Sequence, residues 1–259
     1  MKTSTTSITK KPTTHQQKQI IFYLYQFRYL IVNQLLKLLN HKDPRRIQEW
    51  LNDLVKRKFI AQIKNEEISK GFVYCLDTKA RSILKDDEDI DPSVLSRLYK
   101  EKQKDVPFIK KNLFIADLQL YFLSQKEEGQ ELNFFTAQEL RGFEHFPELL
   151  PSAYIEVVDK KETTRYFLDY FDEYTPSFVL RKRVKFYLQY LNRDWQANTD
   201  NAPIPSVLFI VSSEKMKKHI QIYTREVFKK NLSDDIELFL ATKNEVKKGE
   251  VNWDGVEKE

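Results

Sequence analysis

The sequence predicts an α+β protein of two domains. Its 259 residues suit one large or two small domains. A hydrophobic fraction of 41% and an aromatic fraction of 13% supply packed cores and exclude a mainly disordered chain. The charge is divided: residues 1–85 hold 17 Lys and Arg against 6 Asp and Glu, a net +11, whereas residues 86–259 have a net −6. This division indicates a module for a polyanion joined to a second unit, unless the lysines only reflect an AT-rich genome.

The first domain is expected over residues 15–85, after a disordered polar leader over residues 1–14. Apolar spacing predicts three helices and alternation predicts two strands, over His15–Phe27, Ile31–Leu39, residues 44–58, Phe59–Ile63 and Phe72–Leu76. Asp43 is the expected N-cap of the third helix and Pro44 its first residue. Three helices followed by a two-stranded ribbon are typical of a winged helix, in which the second and third helices form the helix-turn-helix.

The polar face of the third helix is the candidate DNA-binding surface. The candidate residues on this helix and on the ribbon are Arg45, Arg46, Gln48, Asn52, Lys56, Lys64 and Lys70. The two arginines can read guanine, the two amides can pair with adenine, and the lysines can contact phosphates. Two alternatives remain open: a helix face that is only solvated, and a winged helix that packs against a protein.

The second domain is expected over residues 107–245. An acidic linker precedes it over residues 86–106 and includes a short helix, Ser93–Lys104, which could pair two copies into a homodimer. A charged tail is expected over residues 246–259. The predicted elements follow the order α-β-β-β-α-β-α-β, which indicates an α/β core with a mixed sheet. They are expected over Phe108–Ser124, Leu132–Thr136, Ser152–Val158, Thr164–Tyr170, Pro176–Leu191, Val207–Val211, Glu214–Phe228 and Ile236–Ala241.

Composition excludes several classes of protein. The chain has only 5 Gly and lacks the glycine-rich motifs that hold dinucleotides or nucleoside triphosphates. The single Cys75 excludes an internal disulfide and a Cys₄ zinc site, and the 4 His form no metal-ligand pair. No cofactor is therefore expected. The N-terminus lacks the apolar segment of a secretory signal, and charged and polar residues interrupt the longest apolar stretch. The sequence thus predicts a cytoplasmic protein with no membrane partner.

The element order of the second domain is also that of the PD-(D/E)xK nuclease fold, in which carboxylates on two adjacent strands hold Mg²⁺. The candidate carboxylates are Glu139, Asp169 and Asp172. However, Ser152 stands where the first strand needs an Asp, and neither strand carboxylate is followed by the required lysine. The sequence therefore predicts a degenerate restriction-endonuclease-like fold without metal or catalytic residues. Mg²⁺ would be needed only if the domain were a divergent nuclease.

Short motifs in both domains resemble the replication-relaxation family of bacterial plasmids and mobile elements. The resemblance covers about residues 15–228. Its main motifs are Arg45-Arg46, Tyr74–Ala80, Gln138–Arg141, Leu150–Ala153, Phe171–Thr175, Arg183–Tyr187 and Pro205–Val211. The family pattern has Asp at the position of Ser152 and Lys at the position of Arg183. The resemblance therefore implies a family site that is degenerate in this chain.

The sequence favours a non-catalytic DNA-binding accessory protein of a plasmid or mobile element. It would act in replication, in relaxation and conjugative transfer, or in their regulation, with double-stranded DNA as its partner. Arg181 and Lys182, on a basic and aromatic helix, are further candidate DNA contacts. Two alternatives remain: a divergent Mg²⁺-dependent nuclease, and a winged-helix adaptor for a relaxase or replication initiator.

Overall fold

The computed structural model describes residues 12–88, 90–143, 146–160, 162–199, 202–230 and 236–256. These residues form a mixed α+β fold with a three-stranded and a six-stranded sheet. Most of the predicted leader, residues 1–11, lies outside the described residues. Among the described residues, no helix has both the length and the apolar character that crossing a membrane requires.

The first part of the chain contains three helices and the small sheet. Its elements are α1 His15–Phe27, β1 Tyr29–Ile31, α2 Val32–Leu38, α3 Pro44–Lys56, β2 Ile60–Lys64 and β3 Phe72–Leu76. The predicted ribbon of β2 and β3 is present, but it is not two-stranded, because β1 also pairs antiparallel with β3 and gives the strand order β1-β3-β2. The predicted start of the second helix at Ile31 is wrong for the same reason, since Ile31 is the last residue of β1.

Local sequence signals explain the bounds of α1 and α3. Thr14 caps α1 and exchanges hydrogen bonds with Gln17, a capping box. The Asp43 side chain accepts a hydrogen bond from the backbone of Arg45 at 2.8 Å, and Pro44 is the first residue of α3. The buried side chains of α3 are Ile47, Leu51 and Leu54, whose spacing places them on one face.

The stretch predicted as a linker packs against the first part of the chain. It follows the short helix α4, Arg81–Leu84, and contains α5, Pro92–Leu95, and a 3₁₀ helix over Leu98–Gln103. The predicted helix Ser93–Lys104 is therefore divided into two pieces. Leu95, Leu98 and Glu101 are buried, so this stretch contributes to the core.

The remaining elements build the large sheet. They are α6 Val106–Gln125, β4 Glu131–Thr136, β5 Ala153–Asp159, β6 Glu162–Phe171, α7 Ser177–Arg193, α8 Trp195–Asn198, β7 Ser206–Val211, α9 Glu214–Lys230, β8 Leu238–Thr242, α10 Lys243–Lys248 and β9 Asp254–Gly255. The strand order is β4-β5-β6-β7-β8-β9. The pairs β6-β7 and β7-β8 are parallel and the others antiparallel, which confirms the predicted mixed sheet.

The prediction of a charged tail over residues 246–259 is wrong for its described part. Residues 246–248 complete α10, and residues 254–255 form the edge strand β9. Val246 and Val256 are buried, and Lys217 of α9 forms ion pairs with Glu245 at 3.2 Å and with Asp254 at 2.8 Å. These contacts hold the segment against the sheet.

Alternating side chains of the large sheet pack on two different cores. One buried cluster runs from Ile20 of α1 through Phe114 of α6 to Leu168 of β6. The other contains Phe167 of β6 with the inner faces of α7 and α9. The large sheet therefore lies between the helices α1 and α6 on one face and the helices α7 and α9 on the other.

Candidate nucleic-acid interface and buried carboxylates

The face of α3 opposite its buried residues is exposed. Arg45, Arg46, Asn52 and Lys56 are all exposed on it, and Gln48 is half-buried. The structure therefore brings together the helix residues that the sequence predicts to contact DNA.

The two arginines of the first turn have different surroundings. Arg46 forms an ion pair with Glu49 at 2.7 Å, and its guanidinium lies 5.6 Å from the centre of the Trp50 ring. Both partners of this pair are exposed, so the pair adds little stability and can exchange for a phosphate contact. Arg45 forms no ion pair within the described part of the chain. Its charge is available to a ligand.

The two amide side chains of α3 are connected to each other and to the sheet. The side-chain amide of Gln48 donates to Asn52 Oδ1 at 3.0 Å and to the hydroxyl of Tyr74, on β3, at 3.0 Å. The Tyr74 side chain is fully buried. These bonds fix the orientation of the Gln48 side chain relative to β3 before any ligand binds.

The connection between β2 and β3 adds basic and aromatic groups. Lys64 and Lys70 are exposed on either side of its tip, and Lys64 Nζ donates to the carbonyl of Lys70 at 2.6 Å. The Lys64 ammonium also lies 5.8 Å from the centre of the exposed Phe72 ring. The tip thus presents two cations, as expected for a phosphate contact.

Asp169, the candidate carboxylate on β6, is buried in a closed hydrogen-bond network. Its Oδ1 accepts from the backbone and hydroxyl of Ser152, at 2.9 and 3.1 Å, and from Arg183 Nη2 at 3.2 Å. Its Oδ2 accepts from Arg183 Nε and from the Tyr187 hydroxyl, the latter at 2.8 Å. Five donors therefore occupy the two oxygens of this carboxylate.

Arg183 neutralises Asp169 and also donates hydrogen bonds to two backbone carbonyls. Its Nη1 donates to the Leu149 carbonyl at 2.7 Å, and its Nη2 also donates to the Leu150 carbonyl. Burial alone would lower the pKa of Arg183, but the Asp169 carboxylate holds that pKa above its ordinary value. Burial and the same carboxylate raise the pKa of Tyr187. A guanidinium thus supplies the positive charge that a metal ion would otherwise bring to Asp169.

The other two candidate carboxylates lie in different surroundings. Glu139 accepts hydrogen bonds from the backbone and hydroxyl of Thr136, at 2.8 and 3.1 Å, and lines a cavity of about 430 Å³ that does not include Asp169. Asp172 accepts from the Tyr174 backbone at 3.1 Å and from the Thr175 hydroxyl at 2.8 Å, which closes a turn. The structure does not bring the three carboxylates together, and the described residues contain no cluster of His, Cys, Asp and Glu suited to a metal ion.

Arg181 and Lys182, the predicted contacts on α7, face different surroundings. The guanidinium of Arg181 lies 5.8 Å from the centre of the Tyr223 ring, on α9. Lys182 instead lines a cleft of about 640 Å³ that the sequence did not predict. The cleft is formed by the end of α1, by α6, by the segment after β4 and by α7. These segments are far apart in the chain, so only the fold reveals the cleft.

Comparison with known proteins identifies no family. No known family model and no curated protein matches the chain. Two solved structures show a weak similarity. The restriction endonuclease FokI bound to DNA has 12% identity and a TM-score of 0.29, with 93% of this chain and 45% of FokI covered. A second structure of restriction endonuclease FokI has 12% identity and a TM-score of 0.32, with 89% and 43% covered. The chain spans less than half the length of these structures, and TM-scores this low do not establish a shared fold.

Proposed function

We propose that the chain is a non-catalytic protein that binds double-stranded DNA through a winged helix over residues 15–85. The element order α1-β1-α2-α3-β2-β3 and the strand order β1-β3-β2 support this proposal. In a winged helix, α2 and α3 are the helix-turn-helix, α3 enters the major groove, and the β2–β3 connection is the wing.

The observation that carries the proposal is the exposed polar face of α3. Arg45, Arg46, Asn52 and Lys56 share this face, and residues 1–85 have a net charge of +11. Such a charge attracts the phosphate backbone, and arginine or amide side chains can then read base edges. Lys64 and Lys70 at the wing add phosphate contacts.

The second unit has a structural role in this proposal. Because Arg183 neutralises Asp169 and donors occupy both carboxylate oxygens, Asp169 lacks the open coordination positions that metal-assisted hydrolysis requires. The network also joins α7 to the start of β5 and the end of β6. The network therefore stabilises the second unit, which is joined to the DNA-binding part of the chain.

We further propose that the protein is an accessory factor of a plasmid or mobile element, related to the replication-relaxation family. It would act on replication, on relaxation and transfer, or on their regulation, and therefore in the cytoplasm. The motif residues Ser152, Arg183 and Tyr187 all contact Asp169, which supports treating these short motifs as parts of one site.

Two steps test the DNA-binding function. A duplex that the protein retains is first selected from random sequences, and the labelled duplex is then titrated with the protein. Affinity is expected to fall steeply between about 50 and 200 mM salt, because counterions are released from the phosphates. Lys64→Gln and Lys70→Gln should each reduce the slope of log affinity against log salt by about 1. Binding that does not depend on salt contradicts the proposal, and the absence of duplex binding favours a protein adaptor instead.

A further inference from the structure

The cleft between the first unit and the large sheet has the dimensions of a ligand site. Its volume of about 640 Å³ lies within the range of small-molecule sites, roughly 300–1,000 Å³. Gln26 and Arg28 line it from the end of α1, Lys111 lines it from α6, and Lys182 lines it from α7. A ligand bound here would contact both parts of the chain.

Positive charge dominates the cleft. The charged side chains that line it are Arg28, Lys111, Arg141, Lys182, Arg183 and Asp169. Two of the cations are neutralised, because Arg28 pairs with Glu101 at 2.7 Å and Arg183 pairs with Asp169. The other three, Lys111, Arg141 and Lys182, form no ion pair within the described residues. These three cations line the cleft although residues 86–259 as a whole have a net charge of −6.

The three cations without an ion pair differ in their neighbourhoods. Arg141 lies near Asp91, whose pKa is lowered first by hydrogen bonds from Ser93 and further by Arg141. The negative charge of Asp91 therefore compensates part of the positive charge of Arg141. Within the described part of the chain, Lys111 and Lys182 have no such partner and are the principal anion-binding groups of the cleft.

The rim of the cleft is apolar and exposed. Phe178 is 65% exposed, Leu149 is 46% exposed, and both line the cleft with Val179. Neighbouring exposed apolar side chains indicate a binding surface. An aromatic ring beside lysine and arginine is the combination that proteins use to stack a base while holding its phosphate.

We propose that this cleft binds a nucleoside phosphate, with the phosphate between Lys111 and Lys182 and the base against Phe178. A terminal phosphate group carries close to two negative charges at neutral pH, which matches several cations better than a single carboxylate does. The nucleotide can be free in solution or be the end of a DNA strand. The proposal does not depend on duplex binding by α3.

Isothermal titration calorimetry with dAMP, deoxyadenosine and inorganic phosphate tests the proposal by measuring the affinity for each. We expect dAMP to bind more tightly than either fragment. Lys111→Gln and Lys182→Gln should each weaken dAMP binding by about tenfold, because each removes a charge-assisted hydrogen bond. Phe178→Ser should weaken dAMP binding without changing the binding of inorganic phosphate.

Two neighbouring cations provide matched controls. Lys110→Gln changes the residue next to Lys111, and Lys185→Gln changes an exposed lysine of α7; neither residue lines the cleft, so both variants should leave dAMP affinity unchanged. A short oligothymidylate, with and without a 5′-phosphate, separates the two sources. Tighter binding of the phosphorylated strand than of dAMP identifies a DNA end, and the reverse identifies a free nucleotide.

The proposal is wrong if neither dAMP nor the phosphorylated strand binds. It is also wrong if inorganic phosphate binds as tightly as dAMP. It is equally wrong if the control variants weaken dAMP binding as much as the cleft variants do. The duplex titration separates this result from the proposed function. Duplex binding through α3 should persist in Lys111→Gln whether or not the cleft binds dAMP.

Discussion

The side-chain amide of Gln48, on α3, donates a hydrogen bond to the buried hydroxyl of Tyr74, on β3, at 3.0 Å. Gln48 also donates to Asn52 on its own helix. The two amides expected to read adenine are therefore part of one network that joins the helix to the sheet. Their orientation is set by the fold, which limits the number of base edges that they can reach.

Tyr74→Phe is expected to remove this orientation while keeping the buried ring. The free energy of unfolding should fall by about 0.5–1.5 kcal/mol, because the variant removes one hydrogen bond without a large change in packing. Discrimination among duplex sequences should also decrease, because the Gln48 side chain is freed. Urea unfolding and competition between selected and scrambled duplexes measure the two effects. If neither changes, the bond between Gln48 and Tyr74 has no role in positioning.

The buried pair of Asp169 and Arg183 is expected to show strong coupling. Asp169→Asn or Arg183→Met alone should lower the free energy of unfolding by about 3–5 kcal/mol, since each leaves one buried charge without its partner. The double variant should cost less than the sum of the two. A double-mutant cycle by urea unfolding measures this coupling.

The partly exposed pair of Arg165 and Glu156, 3.3 Å apart, is the matched control, with an expected coupling below about 1 kcal/mol. Additive effects at Asp169 and Arg183 would contradict the network.

Glu139 is expected to make stability depend on pH. Burial raises the pKa of Glu139 above its ordinary value of 4.5, although hydrogen bonds from Thr136 oppose the shift. The folded protein therefore binds this proton more tightly than the unfolded chain, and stability falls as the pH rises from near 4.5 through the raised pKa.

Glu139→Gln isolates this contribution, because glutamine can accept the same hydrogen bonds and does not ionise. Wild type should lose stability relative to the variant as the pH rises, and the difference should level off above the raised pKa. Asp117, whose pKa burial also raises, is present in both proteins and cancels from the comparison. A stability difference that is constant between about pH 5 and 8 would show that Glu139 does not titrate in this way.

The protein is expected to leave supercoiled plasmid intact in the presence of Mg²⁺. Asp169 is neutralised by Arg183, Asp172 closes a turn with Thr175, and Glu139 lines another cavity. Gel electrophoresis of plasmid incubated with the protein and Mg²⁺ measures cleavage. Nicking that disappears in Asp172→Ala would instead support the divergent nuclease.

Local signals predicted much of the fold. The range predicted for the first helix, His15–Phe27, is the range of α1, because its apolar spacing and the preceding Thr14 determine it locally. The start of α3 was equally predictable from Asp43 and Pro44. The alternation of β5 and β6 and the apolar run of β7 predicted the centre of the large sheet.

Long-range pairing explains what the sequence did not predict. β1 has three residues, too few for a periodic pattern, and exists because Tyr29 and Leu30 pair with Cys75 and Tyr74. The charged composition after residue 245 indicated a tail, yet the ion pair of Lys217 with Asp254 holds β9 at the edge of the sheet. Neither interaction can be seen without the fold.

Long-range contacts also explain which parts of the candidate site the sequence could not predict. The exposed face of α3 was predictable because it belongs to one helix with a clear apolar face. The sequence predicts Asp169 as a candidate carboxylate. Its partners Ser152, Arg183 and Tyr187 come from other segments, so the sequence could not predict that Asp169 is neutralised. The cleft beside Lys111 and Lys182 also depends on several segments meeting.

Duplex binding by the double variant Arg45→Ala, Arg46→Ala shows whether α3 faces DNA. Fluorescence anisotropy with a selected duplex, at one fixed salt concentration, should show specific binding weakened by roughly 1–3 kcal/mol for each base-reading side chain that the variant removes. Arg225→Ala, which removes an exposed arginine of α9, is the control and should bind like wild type. If the double variant binds the selected duplex as tightly as wild type does, α3 does not face DNA and the proposed function is wrong.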